Sequence, residues 1–217
     1  MIPKLQVAMD NVTVESMLEQ VYPIGEIVDV IEIGTVLHLT QGMLPLKIIR
    51  QMYGNDKMIL SDLKCADAGT TLCQQSVDAG ANQVTAICAA DLETIALMKT
   101  VADQSGAQIH IELYGEYSSE MMEGWKSIGI EHVIYHRSRD SQLSGRAWGE
   151  VDFNKIKILN DHGFKVTITG GLEVEDIKLF KDFNVYCFIA GRSIRESADS
   201  VNEALRFKAE IKEHFHE

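Results

Sequence analysis

Apolar and polar positions along the chain fall into two alternating rhythms. Short β-branched runs recur every 20 to 30 residues, and the stretches between them repeat apolar residues at helical spacing. The runs predict eight strands: Gln6–Asp10, Val28–Gly34, Lys57–Lys64, Gln83–Cys88, Gln108–Leu113, His132–His136, Lys165–Gly171 and Cys187–Ser193. Between and after them, helices are predicted at Val14–Tyr22, Leu44–Tyr53, Thr70–Ala79, Leu92–Gln104, Ser119–Ser127, Phe153–His162, Val174–Phe180 and Ser197–His214. Eight βα units in strict alternation favour a closed (β/α)₈ TIM barrel over an open doubly wound sheet. With three prolines and no Gly- or Ser-rich linker, residues 1–217 read as one α/β domain.

In a barrel, alternate strand residues point into the bore, so polar residues can be sorted by parity. On one parity lie Gln6, Ala8 and Asp10; Val28, Val30 and Glu32; Met58, Leu60, Asp62 and Lys64; His110 and Glu112; Ile134 and His136; and Thr167 and Thr169. The opposite parity is apolar: Ile31 and Ile33, Ile59 and Leu63, Ile109 and Ile111, Val133 and Tyr135, Val166 and Ile168. These residues are expected to pack under helices. The inward polar residues gather at the C-terminal ends of their strands, where barrel enzymes place their chemistry. A single carboxylate there serves as readily as a helix cap, but six coincident strand ends point to a site. His110, one layer below Glu112, is expected to be a packed and hydrogen-bonded interior residue.

Composition narrows the partners. Thirty-two acidic against twenty basic residues give a net charge of −12, with no basic block, which argues against nucleic acid. An anionic ligand would have to be held by local cations, a metal or backbone N–H groups. The absence of a leader-like N-terminus and of any long apolar run argues against a membrane and for a cytoplasmic protein. Cys65, Cys73, Cys88 and Cys187 lie far apart without C-x-x-C spacing and read as reduced and structural. The long aperiodic stretch Arg137–Gly149 is a candidate lid.

Asp62-Leu63-Lys64-Cys65-Ala66-Asp67 puts a carboxylate and an ammonium two apart, with a second carboxylate just beyond. A lysine between carboxylates stays protonated and suits a developing anion better than Schiff-base chemistry. Glu32 and Asp62, from adjacent strands, are hard oxygen donors of the kind Mg²⁺ takes, though a salt bridge to Lys64 would also explain Asp62. Thr169-Gly170-Gly171 and Ala190-Gly191-Arg192-Ser193 close the last two strands, where barrels commonly bind phosphate.

Taken with Val7-Ala8-Met9-Asp10-Asn11, Ile31-Glu32-Ile33-Gly34, Asp62-x-Lys64-x-x-Asp67-Ala68-Gly69 and Tyr135-His136-Arg137-Ser138-Arg139-Asp140, these motifs resemble the 3-keto-L-gulonate 6-phosphate decarboxylases. That family lies within the orotidine 5′-monophosphate decarboxylase superfamily, and the likeness spans almost the whole chain. It implies Mg²⁺-dependent decarboxylation of a β-keto sugar-acid phosphate to L-xylulose 5-phosphate in L-ascorbate breakdown. It also implies a homodimer whose active sites lie at the interface, with Asp67 reaching into the neighbour's site. Glu32 and Asp62 would ligate the metal, and Lys64 would stabilise the enediolate. Asp10 and Glu112 would hold substrate hydroxyls or Lys64, and His136 and Arg139 would position the proton donor. Gly171, Gly191 and Arg192 would hold the phosphate, with Thr169 beside them.

The nearest alternative on this scaffold is a hexulose-6-phosphate synthase, in which Asp, Val and Ala tend to stand where this chain has Glu112, Arg139 and Thr169. A non-catalytic phosphosugar sensor would not need Asp62, Lys64, Asp67 and His136 together. A metal-dependent epimerase would ordinarily place histidines at the ends of strands two and three, where none occurs.

Overall fold

A computed structural model describes residues 2–137 and 147–216. The elements follow in the order β1 Lys4–Met9, α1 Val14–Val21, β2 Val30–Ile33, α2 Thr35–Gln41, α3 Leu44–Tyr53, β3 Met58–Cys65, α4 Gly69–Asp78 and β4 Gln83–Ile87. They continue with α5 Leu92–Ser105, β5 Gln108–Leu113, α6 Ser119–Ser127, β6 His132–His136, α7 Glu150–Asp161 and β7 Lys165–Thr169. A 3₁₀ turn at Val174–Phe180, β8 Val185–Ala190, α8 Arg192–Arg195 and α9 Ser200–His214 complete the chain. The strands pair in parallel in sequence order, and β8 returns to β1 through Lys4↔Cys187 and Val7↔Ala190, closing a single (β/α)₈ barrel.

The outward parity carries the main core. Ile31, Ile33, Ile59, Ile109, Ile111, Val133, Val166 and Ile168 are buried in one cluster with helix residues such as Met17, Leu37, Ile49, Met98, Leu159 and Phe207. Each fully buried Ile or Leu contributes about 2 kcal/mol of transfer free energy, so this shell fixes the strand faces. Inside the bore, a second, smaller apolar cluster joins Ala8, Val30, Leu60, Ile134 and Ile189. Helix starts are capped from the sequence: Thr13 accepts from Ser16 N, Ser118 from Met121 N, and Asp199 from Asn202 N. All four cysteines are free and buried, and no described helix is long and apolar enough to cross a membrane.

Several boundaries move. β1 begins at Lys4 and stops before Asp10, β2 shrinks to Val30–Ile33, and β8 runs Val185–Ala190, with α8 taking over at Arg192. Helix α2, absent from the predicted set, starts at Thr35 straight after β2, with Gly34 at its N-cap and no side-chain cap. Its short, β-branched sequence carries no clear helical signal. Val174–Phe180 winds as a 3₁₀ turn rather than an α-helix.

His110 departs from expectation more sharply. It is buried, but among the described residues neither of its ring nitrogens has a hydrogen-bond partner, and the same holds for His132. Pairing of β5 with β6 sets His110 opposite His132, so the rings stack face to face with centroids 4.4 Å apart. Tyr186 packs edge-on against His132 at 4.5 Å. Burial, then the nearby Lys165, pushes His132 down to about 4, and burial with His132 holds His110 well below its usual range.

Both rings are therefore neutral when folded near pH 7 and take up protons on unfolding as the pH falls below about 6.5, for His132 down to about 4. The unfolded state binds more protons across that window, so stability is complete above it and falls as the pH drops. Chemical denaturation at pH 7 and pH 5 is expected to show roughly 2 kcal/mol of acid loss from His132 alone. A His132→Phe protein should lose that part of the slope; an unchanged slope would remove the histidine from the account.

Candidate functional site

The C-terminal strand ends open into a cavity of about 520 Å³. Asp10, Glu32, Asp62, Lys64, Glu112, His136, Thr169, Gly171, Gly191 and Arg192 all line it, so the predicted constellation comes together at one mouth. Asp10 extends past β1 and lies over Gly34, where a Cβ would stand 2.2 Å from Asp10 Oδ1; the glycine makes room for the carboxylate. Asp67 is exposed on the loop after β3, with Oδ1 accepting from Ala68 N at 2.6 Å, and does not line this cavity. Arg139 and most of the predicted lid, Arg137–Gly149, fall outside the described residues.

Lys64 is the hub. Its Nζ contacts Asp62 Oδ2, lies 3.0 Å from Thr35 Oγ1, and sits 3.0 Å from Glu112 Oε2 in an ion pair without hydrogen-bond geometry. The β3–β4 ladder slips between Ser61 and Cys65, and Lys64 takes a left-handed backbone, φ 48°. That conformation costs an ordinary residue about 1 kcal/mol and is held here by Thr85, whose Oγ1 accepts from Lys64 N at 2.8 Å and donates to Asp62 Oδ1 at 2.9 Å. Thr35 Oγ1 lies within reach of Asp62's backbone carbonyl, 2.9 Å, and of Oδ2, 2.8 Å.

The charges set one another. Burial pushes Lys64 downward, but Asp62 and Glu112 outweigh it and hold the ammonium protonated. Burial likewise works against the Asp62 anion, and Lys64 more than offsets it. Glu32 is forced well above the usual carboxylate range by burial, then by Asp62 and Asp10, with Gln6 Nε2 donating to Oε2 at 2.6 Å. Two acidic side chains crowded in this way, with oxygen donors only, fit a small hard cation that would relieve their repulsion.

Across the mouth, His136 Nδ1 lies 2.6 Å from Glu112 Oε1, and Nε2 lies 3.1 Å from Tyr114 Oη. Burial, then Lys64, brings His136 down to about 4, so the ring is neutral near pH 7. Burial and Asp62 push Glu112 upward, and the Lys64 ammonium 3.0 Å from Oε2 works against them.

The far wall is made by the loops after β7 and β8. Arg137 is buried, stacks its guanidinium 4.2 Å from the Trp148 ring centroid, and donates from Nε to Gly170 O at 2.9 Å and from Nη2 to Gly171 O at 3.1 Å. With the carbonyls drawn to Arg137, the loop backbone is fixed beside Gly191 and Arg192. Thr169 Oγ1 is tied to Ile189 O at 3.3 Å.

Thr35, Thr85, Tyr114 and Arg137 were not among the sequence candidates. Thr85 sits at an inward position of β4, and Tyr114 continues the inward parity of His110 and Glu112, so both could have been found by parity; Thr35 and Arg137 carry no such signal.

The chain matches the family described as orotidine 5′-phosphate decarboxylase / HUMPS over residues 3–207. It is 45% identical over 212 residues to the 3-keto-L-gulonate-6-phosphate decarboxylase UlaD of Escherichia coli, covering 98% of each chain. Among solved structures it resembles a complex of KGPDC from Streptococcus mutans, with TM-score 0.97 and 39% identity over the full length of both. It also resembles 3-keto-L-gulonate-6-phosphate decarboxylase from Vibrio cholerae, with TM-score 0.93 and 33% identity over both full lengths.

Proposed function

The chain belongs to the orotidine 5′-phosphate decarboxylase / HUMPS family and is a carboxy-lyase; from that premise we propose that it decarboxylates 3-keto-L-gulonate 6-phosphate to L-xylulose 5-phosphate and CO₂. The observation that carries this reading is the convergence of Glu32, Asp62, Lys64, Glu112 and His136 on one cavity that is also lined by Gly171, Gly191 and Arg192. On this reading the reaction belongs to L-ascorbate breakdown, in the cytoplasm, and the protein is a homodimer that Asp67 joins across the interface.

Breaking the bond to the carboxylate releases CO₂ and leaves an electron pair on carbon, delocalised onto the neighbouring ketone oxygen. Lys64 faces that oxygen with a full charge, an interaction stronger in the transition state than in the ground state. Asp62, Thr35 and Thr85 hold the lysine in place. Glu32 and Asp62 would hold Mg²⁺, which when bound supplies an electrophile toward substrate oxygens. Glu112 orients His136, which with Arg139 positions the water that returns a proton to carbon. Asp10 and Thr169 would meet substrate hydroxyls, and Gly171, Gly191 and Arg192 the phosphate.

The deciding assay supplies 3-keto-L-gulonate 6-phosphate with Mg²⁺, then with EDTA, and follows CO₂ and L-xylulose 5-phosphate. Release that stops with EDTA and returns with Mg²⁺ is the expected result. Turnover that persists in EDTA would remove the metal. Turnover only of formaldehyde with D-ribulose 5-phosphate would assign the synthase reaction instead.

A further inference from the structure

Tyr114 follows β5 directly and lines the cavity, its backbone carbonyl accepting from Cys88 Sγ at 3.0 Å. It stands two residues from Glu112, so one short segment presents a carboxylate and a phenol to the same imidazole. Glu112 Oε2 stands 3.0 Å from the Lys64 ammonium, an ion pair that holds the carboxylate as an anion, so Oε1, 2.6 Å from His136 Nδ1, accepts and the ring proton sits on Nδ1. Nε2 is then a lone pair, and Tyr114 Oη at 3.1 Å must be the donor. The two rings lie 4.6 Å apart at 41°, and Lys64 Nζ is 5.9 Å from the Tyr114 ring centroid.

We propose that Tyr114 is a positioning residue for the decarboxylation: its hydroxyl, donated into Nε2, locks His136 as the Nδ1–H tautomer and holds the ring plane toward the reacting carbon. Glu112 alone would fix one nitrogen and leave the imidazole free to swing about that bond. With both nitrogens engaged, the ring has one orientation, and its exchange of protons at Nε2 runs through the phenol. The inference rests on His136 serving the proton-return step.

The test combines imidazole nitrogen NMR with steady-state kinetics on the wild type and Tyr114→Phe, with His136→Gln used to assign the signals. In the substrate-free wild type, His136 is expected to carry its proton on Nδ1. In Tyr114→Phe, kcat should fall roughly threefold to tenfold with KM within about twofold. The His136 midpoint should rise by about one pH unit, because the bare Nε2 accepts a proton more readily while Glu112, Lys64, Asp62 and Asp10 around it are unchanged. A wild-type ring protonated on Nε2 would overturn the proposal, whether or not the variant folds. So would a variant whose His136 signals do not move, or one whose signals move without any loss of kcat. The nitrogen signals need no substrate, so an inactive wild type would sink the functional reading separately from the tautomer.

Discussion

Lys64→Ala is expected to slow decarboxylation at least ~10³-fold in a protein that still folds. The wild-type ammonium lies against Asp62, Glu112 and Thr35, and its removal does more than delete a favourable charge. It leaves two buried carboxylates facing the position where negative charge develops, so the local field changes sign. The fold should survive, because the packing that determines it lies on the outward faces of the strands, remote from this residue. Circular dichroism with single-turnover CO₂ release checks both halves. A folded variant within tenfold of the wild-type rate would refute the role given to Lys64.

Gly170→Ala should act on the fold itself, lowering stability by roughly 3 kcal/mol or more and weakening phosphate-side binding in whatever folds. The glycine has φ +111°, and a Cβ there would stand 2.1 Å from Arg137 O and 2.7 Å from Arg137 Cβ. Arg137 cannot step back without giving up its bonds to Gly170 O and Gly171 O and its contact with Trp148. Gly106→Ala is the control: its φ is +73°, but nothing lies within 4 Å, so only backbone strain of about 1 kcal/mol applies. Urea midpoints for the two variants separate the terms, and equal losses would mean that the Arg137 contact relaxes freely.

Much of this was readable from the chain. The outward isoleucines and valines announced the strands, and their inward neighbours placed Glu32, Asp62, Glu112, His136 and Thr169 around one mouth, because a strand's two-residue period survives folding unchanged. That period is weakest at Lys64. Strict alternation predicts that it points with Asp62, and it does reach the same cavity, but from a slipped ladder and a left-handed backbone that alternation does not foresee. Contacts made across strands were likewise hidden. Thr85 meets Asp62 twenty-three positions earlier, and Tyr114 meets His136 twenty-two positions later, through register rather than local pattern. The stacking of His110 on His132 belongs to the same class.

The apolar layer of Ala8, Val30, Leu60, Ile134 and Ile189 has a consequence for traffic. Ala8, Ile134 and Ile189 form the floor of the cavity, and all five side chains are buried. Among the described residues, a barrel stoppered at that depth opens at its strand-end mouth. On the proposed reaction, substrate, released CO₂ and product all pass the same rim of strand ends and loops, so the gas leaves along the path by which its parent sugar acid arrived.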